Sequence, residues 1–381
     1  MTDGAVSESS TAADRARRFV REMVEPLAEK IDREQHFPGQ LVTALGEQGW
    51  LGAALPARWG GGGLDPVDFG PVLEEFGWGC ASARTLLTVH NMAAQAVLRY
   101  GNEEQKRRHL PGLASGRSII AFALTEPDVG SDANAIGTSA VEDAGGYVLS
   151  GEKIWCSFGC IANLFLVFAS CNGKPLALIL ERDSPGLKIE RMTDVFGTRG
   201  SELARLHLDA VRVPTENRIG APNAGIRFVA NTALDHGRFS VACGTVGIIR
   251  ACLDTCTAYA ARRQQGGVPI SQHQLVRRIL TDGLVAYTTA RALCDRAARL
   301  RAAGDPRAAA ETALAKYHSA EAAIRVANDA VALLGANGCS SEFPVSRYLR
   351  DATVSGIIEG TREIHQISLA SYALQKPWTN A

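Results

Sequence analysis

The 381-residue chain carries 40 acidic and 40 basic side chains, and 46% of its residues are hydrophobic. Balanced charge offers no electrostatic handle to nucleic acid or to an anionic membrane, and the length allows a large core or two to three packed domains. No apolar run reads as a membrane span, and residues 1–16 lack the apolar centre of a signal peptide. Nine cysteines include the pairs Cys156/Cys160 and Cys252/Cys256, each four apart, but neither pair has accompanying histidines or a further cysteine pair. A zinc site is therefore not expected, and the cysteines read as reduced, packed thiols of a cytoplasmic protein.

Residues 1–14, rich in Ser, Thr and Ala, read as a mobile tail. The patterning that follows, to residue 118, is helical. One stripe holds Phe19, Val20, Met23, Val24 and Leu27, and others hold Leu41, Leu45 and Trp50, then Leu73 to Phe76, then Leu86 to Leu98. Trp59-Gly60-Gly61-Gly62-Gly63 lacks the Lys-Ser/Thr ending of a phosphate loop and reads as a turn between helices. Between residues 119 and 224 the texture changes to short apolar runs punctuated by turns. Ile119–Leu124, Tyr147–Leu149, Leu164–Phe168, Leu176–Leu180 and Leu206–Leu208 read as strands, with turns at Gly145-Gly146, Asn172-Gly173 and Pro185-Gly186. A barrel or sandwich is expected there. The helical period returns over residues 225–381, where Leu314, Tyr317, Ile324, Val331 and Leu334 share a face, and Gly335-Ala336-Asn337-Gly338 ends the helix with residues that tolerate positive φ. Arg299 to Ala310 is the most linker-like stretch of this last third. The fold class is α+β: a helical domain, a β-domain, then a four-helix-type domain.

Near the end of the chain, Ile357-Ile358-Glu359-Gly360-Thr361-Arg362-Glu363 places a carboxylate between apolar residues and a Gly-Thr turn. Thr361 suits the N-cap of a following helix, and Glu363 the positive end of its dipole. The apolar residues Ile364, Ile367 and Leu374 predict that this helix is buried. A glutamate held against apolar neighbours becomes a better proton acceptor near neutral pH. A solvated loop glutamate would have the same local spelling. Thr125-Glu126-Pro127-Asp128-Val129-Gly130-Ser131-Asp132 follows the first strand and gathers hydroxyls, carboxylates and free backbone N–H groups. By composition alone it is an acidic surface turn.

The order of these motifs carries more than any one of them. Thr-Glu-Pro-x-x-Gly-Ser-Asp, then Lys153-Ile154-Trp155, then Arg-Gly-Ser before Val-Arg-Val-Pro, then Glu-Gly-Thr resembles the acyl-CoA dehydrogenase family of flavoproteins over about Arg15 to Leu374. The resemblance implies FAD as cofactor. Thr125 would bond the pyrimidine end of the flavin beside the backbone of Phe122 and Leu124. Gly130 would allow a close backbone approach, and Ser131 would face the flavin phosphates or the pantetheine of the substrate. Trp155 would pack on the flavin ring, and Ser157 would donate near N5. Arg263 and His273, with Gly335 and Asn337, would reach the FAD of a neighbouring subunit, which implies a homo-oligomer, a dimer or tetramer. Thr361 and Glu363 would touch the cofactor again.

The same resemblance makes Glu359 the base that removes the α-proton of an acyl thioester while the β-hydride leaves for the flavin. The thioester carbonyl would be polarised by the Glu359 backbone N–H. One branch, the isovaleryl-type enzymes, carries its base on an earlier helix, where this chain has Gly237. Arg238 and Gly360 fall on the substrate side. Three departures weaken contacts to the cofactor's adenine half: Gly266, Ala332 and Ala336. The segment Val241 to Cys252, with Leu369 to Leu374, resembles a subgroup from polyketide clusters that acts on short hydroxyacyl groups in routes to hydroxymalonyl or methoxymalonyl units. The implied substrate is an acyl-CoA or acyl-ACP, and the implied electron acceptor an electron-transfer flavoprotein or oxygen. A flavin oxidase or monooxygenase on the same fold remains an alternative.

Overall fold

The computed structural model describes residues 10–375. The N-terminal part is helical: α1 (Ala12–Phe19), α2 (Ala28–Glu34), α3 (Gly39–Glu47), α4 (Pro66–Gly79), α5 (Ala81–Tyr100) and α6 (Glu103–Ala114). Local chemistry sets the starts of these helices. Asp65 accepts from the N–H groups of Val67 and Asp68 with Pro66 in the first turn, and Asn102 and Gln105 cap each other reciprocally at α6. Residues 1–9 of the expected tail lie outside the described residues. Its remainder is not a tail, because the Thr11 side chain caps α1 through the Asp14 N–H.

The middle of the chain is one seven-stranded sheet: β1 (Ile120–Ala123), β2 (Ser139–Asp143), β3 (Gly146–Cys156), β4 (Leu164–Cys171), β5 (Lys174–Glu181), β6 (Leu187–Arg191) and β7 (Ala204–Pro214). β4 joins β1 in parallel and β5 antiparallel, while β3 and β7 form the longest antiparallel pair. The sequence reading missed β2 and β6. Both are short and mostly exposed, so they lack the apolar runs that mark the others. The β3–β7 register slips between Lys153 and Cys156, and this irregularity turns Trp155 out of the regular alternation.

The C-terminal part begins with α7 (Asn231–Arg262) and a two-residue hairpin, β8 (Gln264–Gln265) and β9 (Val268–Pro269). α8 (Gln274–Ala302), α9 (Ala308–Leu334), α10 (Val345–Ile357) and α11 (Arg362–Gln375) follow. Of the expected linker, Arg299–Ala302 continues α8 and only the turn before α9 is non-helical. Contrary to the sequence reading, the stretch Gly225–Arg262 is long and apolar enough to cross a membrane by length and composition. Here 78% of its apolar window is buried by protein, and α7 packs against α4, α5, α8, α9 and α10. α11 also differs from expectation: within the single chain only His365 is buried, and Ile367 and Leu374 are 68% and 89% exposed.

α4 and α7 meet backbone to backbone. A Cβ on Gly77 would lie 1.9 Å from the carbonyl oxygen of Gly244, and one on Gly247 would lie 2.1 Å from that of Glu74. Gly77→Ala is therefore expected to force the two helices apart and cost about 3 kcal/mol, read as a lower denaturant midpoint. An unchanged midpoint would mean the crossing is looser than this geometry.

Candidate active site

Between the sheet and the C-terminal helices lies a cavity of about 340 Å³. Phe122, Leu124, Thr125, Gly130, Ser131, Trp155 and Ser157 border it from the sheet side, and Arg238, Glu359, Gly360 and Thr361 from the helices. Residues separated by more than two hundred positions in the chain are thus brought to one place. The loop after β1 is fixed by a buried ion pair. Lys153 donates to Glu126 Oε1 at 2.6 Å and to the Leu124 carbonyl at 3.1 Å, and Glu126 also accepts from the Gly137 and Thr138 N–H groups at 2.6 and 2.9 Å. Burial pushes the Glu126 carboxyl up, but these bonds hold it below its ordinary range. Lys153→Met should strand that carboxylate and cost about 3–5 kcal/mol. A thermal melt matching wild type would refute this role.

Two residues bordering the cavity, Trp155 and Glu359, hold left-handed backbone at φ 57° and 58° without being glycine. Strain of this kind persists only where surrounding contacts impose it. Trp155 is 52% exposed, leaving a ring available for stacking. Among the described residues none bonds the hydroxyls of Thr125, Ser131 or Ser157. A planar, polar-edged heterocycle needs such a set: an aromatic face, hydroxyl donors and a close backbone approach at Gly130, where a Cβ would meet nothing.

Glu359 sits at the helical wall. The residue as a whole is partly exposed, yet its Oε2 is sealed from solvent and has no hydrogen-bond partner among the described residues. Burial pushes its carboxyl up to about 7, against the pull of Arg238, Lys316 and Arg84. Arg238 Nε donates to the Glu359 carbonyl at 3.1 Å, and Lys316 Nζ donates to the Gly360 carbonyl at 2.7 Å, so both cations grip the turn's backbone. Thr361 Oγ1 accepts from the Ile364 N–H at 3.4 Å and begins α11. Gly237 makes room for the carboxyl: a Cβ there would lie 2.4 Å from Glu359 Oε2 and 2.6 Å from Met92 Sδ. A carboxylate with this affinity for protons can accept one at neutral pH.

The remaining expected residues lie elsewhere. Arg263, Gly335 and Asn337 border a second hollow, of about 280 Å³, in which Asn337 Nδ2 donates to the Tyr259 hydroxyl at 2.9 Å. His273 instead faces the Gln265 carbonyl, its Nε2 3.1 Å away, and borders neither cavity. Glu363 is exposed and also outside the cavity; its carboxyl is held low by its own backbone N–H and by Thr361. The sequence reading passed over Arg84, Thr85, Thr88 and Met92 on α5, and Lys316 on α9. Arg84 and Lys316 each stand alone in a run of small and apolar residues, which was the available signal.

The comparisons with known proteins agree along the whole chain. Residues 7–117, 121–211 and 223–374 match the acyl-CoA dehydrogenase N-terminal, middle and C-terminal domains. The acryloyl-CoA reductase (NADH) of Anaerotignum propionicum is 36% identical over 95% of this chain and 93% of its own. The chain belongs to the acyl-CoA dehydrogenase family. It is an FAD-dependent oxidoreductase acting on acyl thioesters. Among solved structures, butyryl-CoA dehydrogenase from Megasphaera elsdenii is 30% identical with a TM-score of 0.92, covering 95% of this chain and 97% of its own. FkbI, for biosynthesis of a methoxymalonyl extender unit of the polyketide FK520, is 33% identical with a TM-score of 0.89, covering 95% and 100%.

Proposed function

We propose that this chain dehydrogenates a short acyl or hydroxyacyl group carried as a thioester on an acyl carrier protein or CoA, with Glu359 as the base. The observation that carries this reading is the sealed Glu359 carboxyl, raised to about 7 and held on a turn that Arg238 and Lys316 grip by its backbone. With FAD bound, the chemistry it would supply is acceptance of the hydride leaving the β-carbon. Glu359 takes the α-proton, and the C–H electrons left on the α-carbon form the new double bond. The Glu359 backbone N–H polarises the thioester carbonyl. Thr125, Ser131, Trp155 and Ser157 would hold and orient the flavin, with Phe122, Leu124 and Gly130 shaping its bed. Arg263, with Gly335 and Asn337, serves the FAD of a second subunit in a homo-oligomer; light scattering that finds an FAD-loaded monomer would refute that. An electron-transfer flavoprotein is the proposed acceptor of the electrons.

The likeness to FkbI supports a carrier-bound substrate, and the likeness to a butyryl-CoA dehydrogenase supports an ordinary short-chain acyl-CoA as the second reading. An anaerobic titration separates them. Bleaching of the oxidised flavin band by acyl groups on only one carrier names that carrier, whereas an intact band with every thioester would overturn the dehydrogenase assignment of the site.

A further inference from the structure

We propose that Asp351 is a positioning residue, which through residues 194–202 fixes the distance between the base on one wall of the cavity and the flavin bed on the other. This rests on the preceding reading of Glu359 as the base and of the sheet side as the flavin's wall. Asp351 is buried on α10, the helix that delivers the base. α10 ends at Ile357, about 9 Å of helix axis beyond Asp351, and Glu359 stands on the turn that follows. Asp351 Oδ1 accepts from the Thr198 N–H at 2.6 Å. Thr198 lies in the connection between β6 and β7, the stretch that holds Arg199-Gly200-Ser201. From there the flavin wall is one bond away. The Ser201 carbonyl accepts from the Phe158 N–H at 2.6 Å, and Phe158 follows directly on Ser157. The Glu202 carbonyl accepts from the Cys160 N–H at 3.1 Å.

The connection has no slack. A Cβ on Gly197 would lie 2.4 Å from the Arg350 carbonyl oxygen on α10, and one on Gly200 would lie 2.1 Å from Ile31 Cγ2 on α2. The Gly200 N–H donates to Ser82 Oγ on α5 at 3.2 Å. Arg350 Nη1 donates to the Phe196 carbonyl at 3.2 Å and to Asp32 Oδ1 on α2 at 2.8 Å. Asp194, Thr198 and Glu202 hold left-handed backbone at φ 58°, 47° and 46° without being glycine. Backbone of this kind persists only where contacts impose it, and the bond from Asp351 is such a contact at Thr198. A bond to a carboxylate holds direction as well as distance. The Arg-Gly-Ser motif thus becomes a strut, with the base's helix at one end and the segment after Trp155 at the other.

The test is anaerobic stopped-flow bleaching of the FAD-loaded enzyme by butyryl-CoA and by a butyryl-loaded carrier protein. Asp351→Ala should lower the limiting rate constant by roughly 10- to 100-fold, while half-saturation and FAD content stay near wild type. Asp351→Asn keeps an oxygen for the Thr198 N–H and should recover most of that rate. A residue with a general structural role would lose FAD, saturation and rate together. That pattern, or Asp351→Asn no faster than Asp351→Ala, would overturn the proposal. Gly197→Ala lifts the connection off α10 without touching a charge, and should show the same split between rate and saturation even where Asp351→Ala does not fold. Folded Gly197→Ala with the wild-type rate would also overturn it. Wild type bleached normally beside variants of unaltered rate sinks this proposal alone. Wild type bleached by neither thioester sinks the dehydrogenase reading, and the proposal with it.

Discussion

Glu359→Gln is expected to retain FAD, to lose flavin bleaching by substrate, and to be more stable than wild type at pH 8. The loss follows from removing the proton acceptor. The stability gain follows from the raised pKa. An unfolded glutamate ionises near its ordinary 4.5, whereas in the folded protein the carboxyl stays protonated up to about 7. Between these values the folded state binds the extra proton, so stability contributed by this group declines as pH rises through the window and stays low above it. The full difference amounts to about 3 kcal/mol. Glutamine mimics the neutral form and should abolish that decline, so thermal melts of the two proteins should converge near pH 4.5 and diverge by pH 8. In wild type, kcat/KM should rise with pH and level off above about 7, as the base ionises. Undiminished bleaching by the variant, or melts that stay parallel across the range, would remove Glu359 from the base role.

Gly237→Ala should cost activity and little stability. The new Cβ would meet Glu359 Oε2 at 2.4 Å and Met92 Sδ at 2.6 Å, and both are ends of flexible side chains that can swing aside. The fold absorbs the methyl, but the base leaves its place. A misplacement of about 1 Å at the reacting group costs on the order of 100-fold in rate. We expect a fall of that size in kcat with a melt close to wild type. A large loss of stability with normal turnover per folded molecule would mean that Met92 and Glu359 are rigidly packed.

Much of the arrangement was legible in the chain. The three-part layout followed from the change of period near Ile119 and again near Gly225, because a buried strand and an amphipathic helix space their apolar residues differently. The turn at Glu359 was legible because Gly-Thr follows an apolar run. The burial of α11 was misread, since its apolar residues Ile367 and Leu374 face outward from the single chain. β2 and β6 escaped because both are short and mostly exposed, so neither carries an apolar run. Arg84 was passed over for a different reason: an arginine on a helix is ordinarily on its wet side, and the packing of α5 against α7 puts this one inside. His273 and Glu363 border neither cavity of the single chain, so motif order is what carries their expected place at a cofactor.

The glycines of α7 have a mechanical consequence. Gly237 faces the base, Gly244 faces both Arg84 and the backbone of Gly77, and Gly247 faces the backbone of α4. Three glycines along one helix edge thus serve as the datum from which base and cation are both measured. Backbone against backbone has almost no give, because it offers no rotamer to change. Repacking of the apolar side chains on the far side of α7, at Val246 or Ile249, would then alter stability while leaving the separation of Glu359 from Arg84 as it was. Selection for a longer or shorter substrate must instead work on α5, where Thr85 and Val89 border the same space.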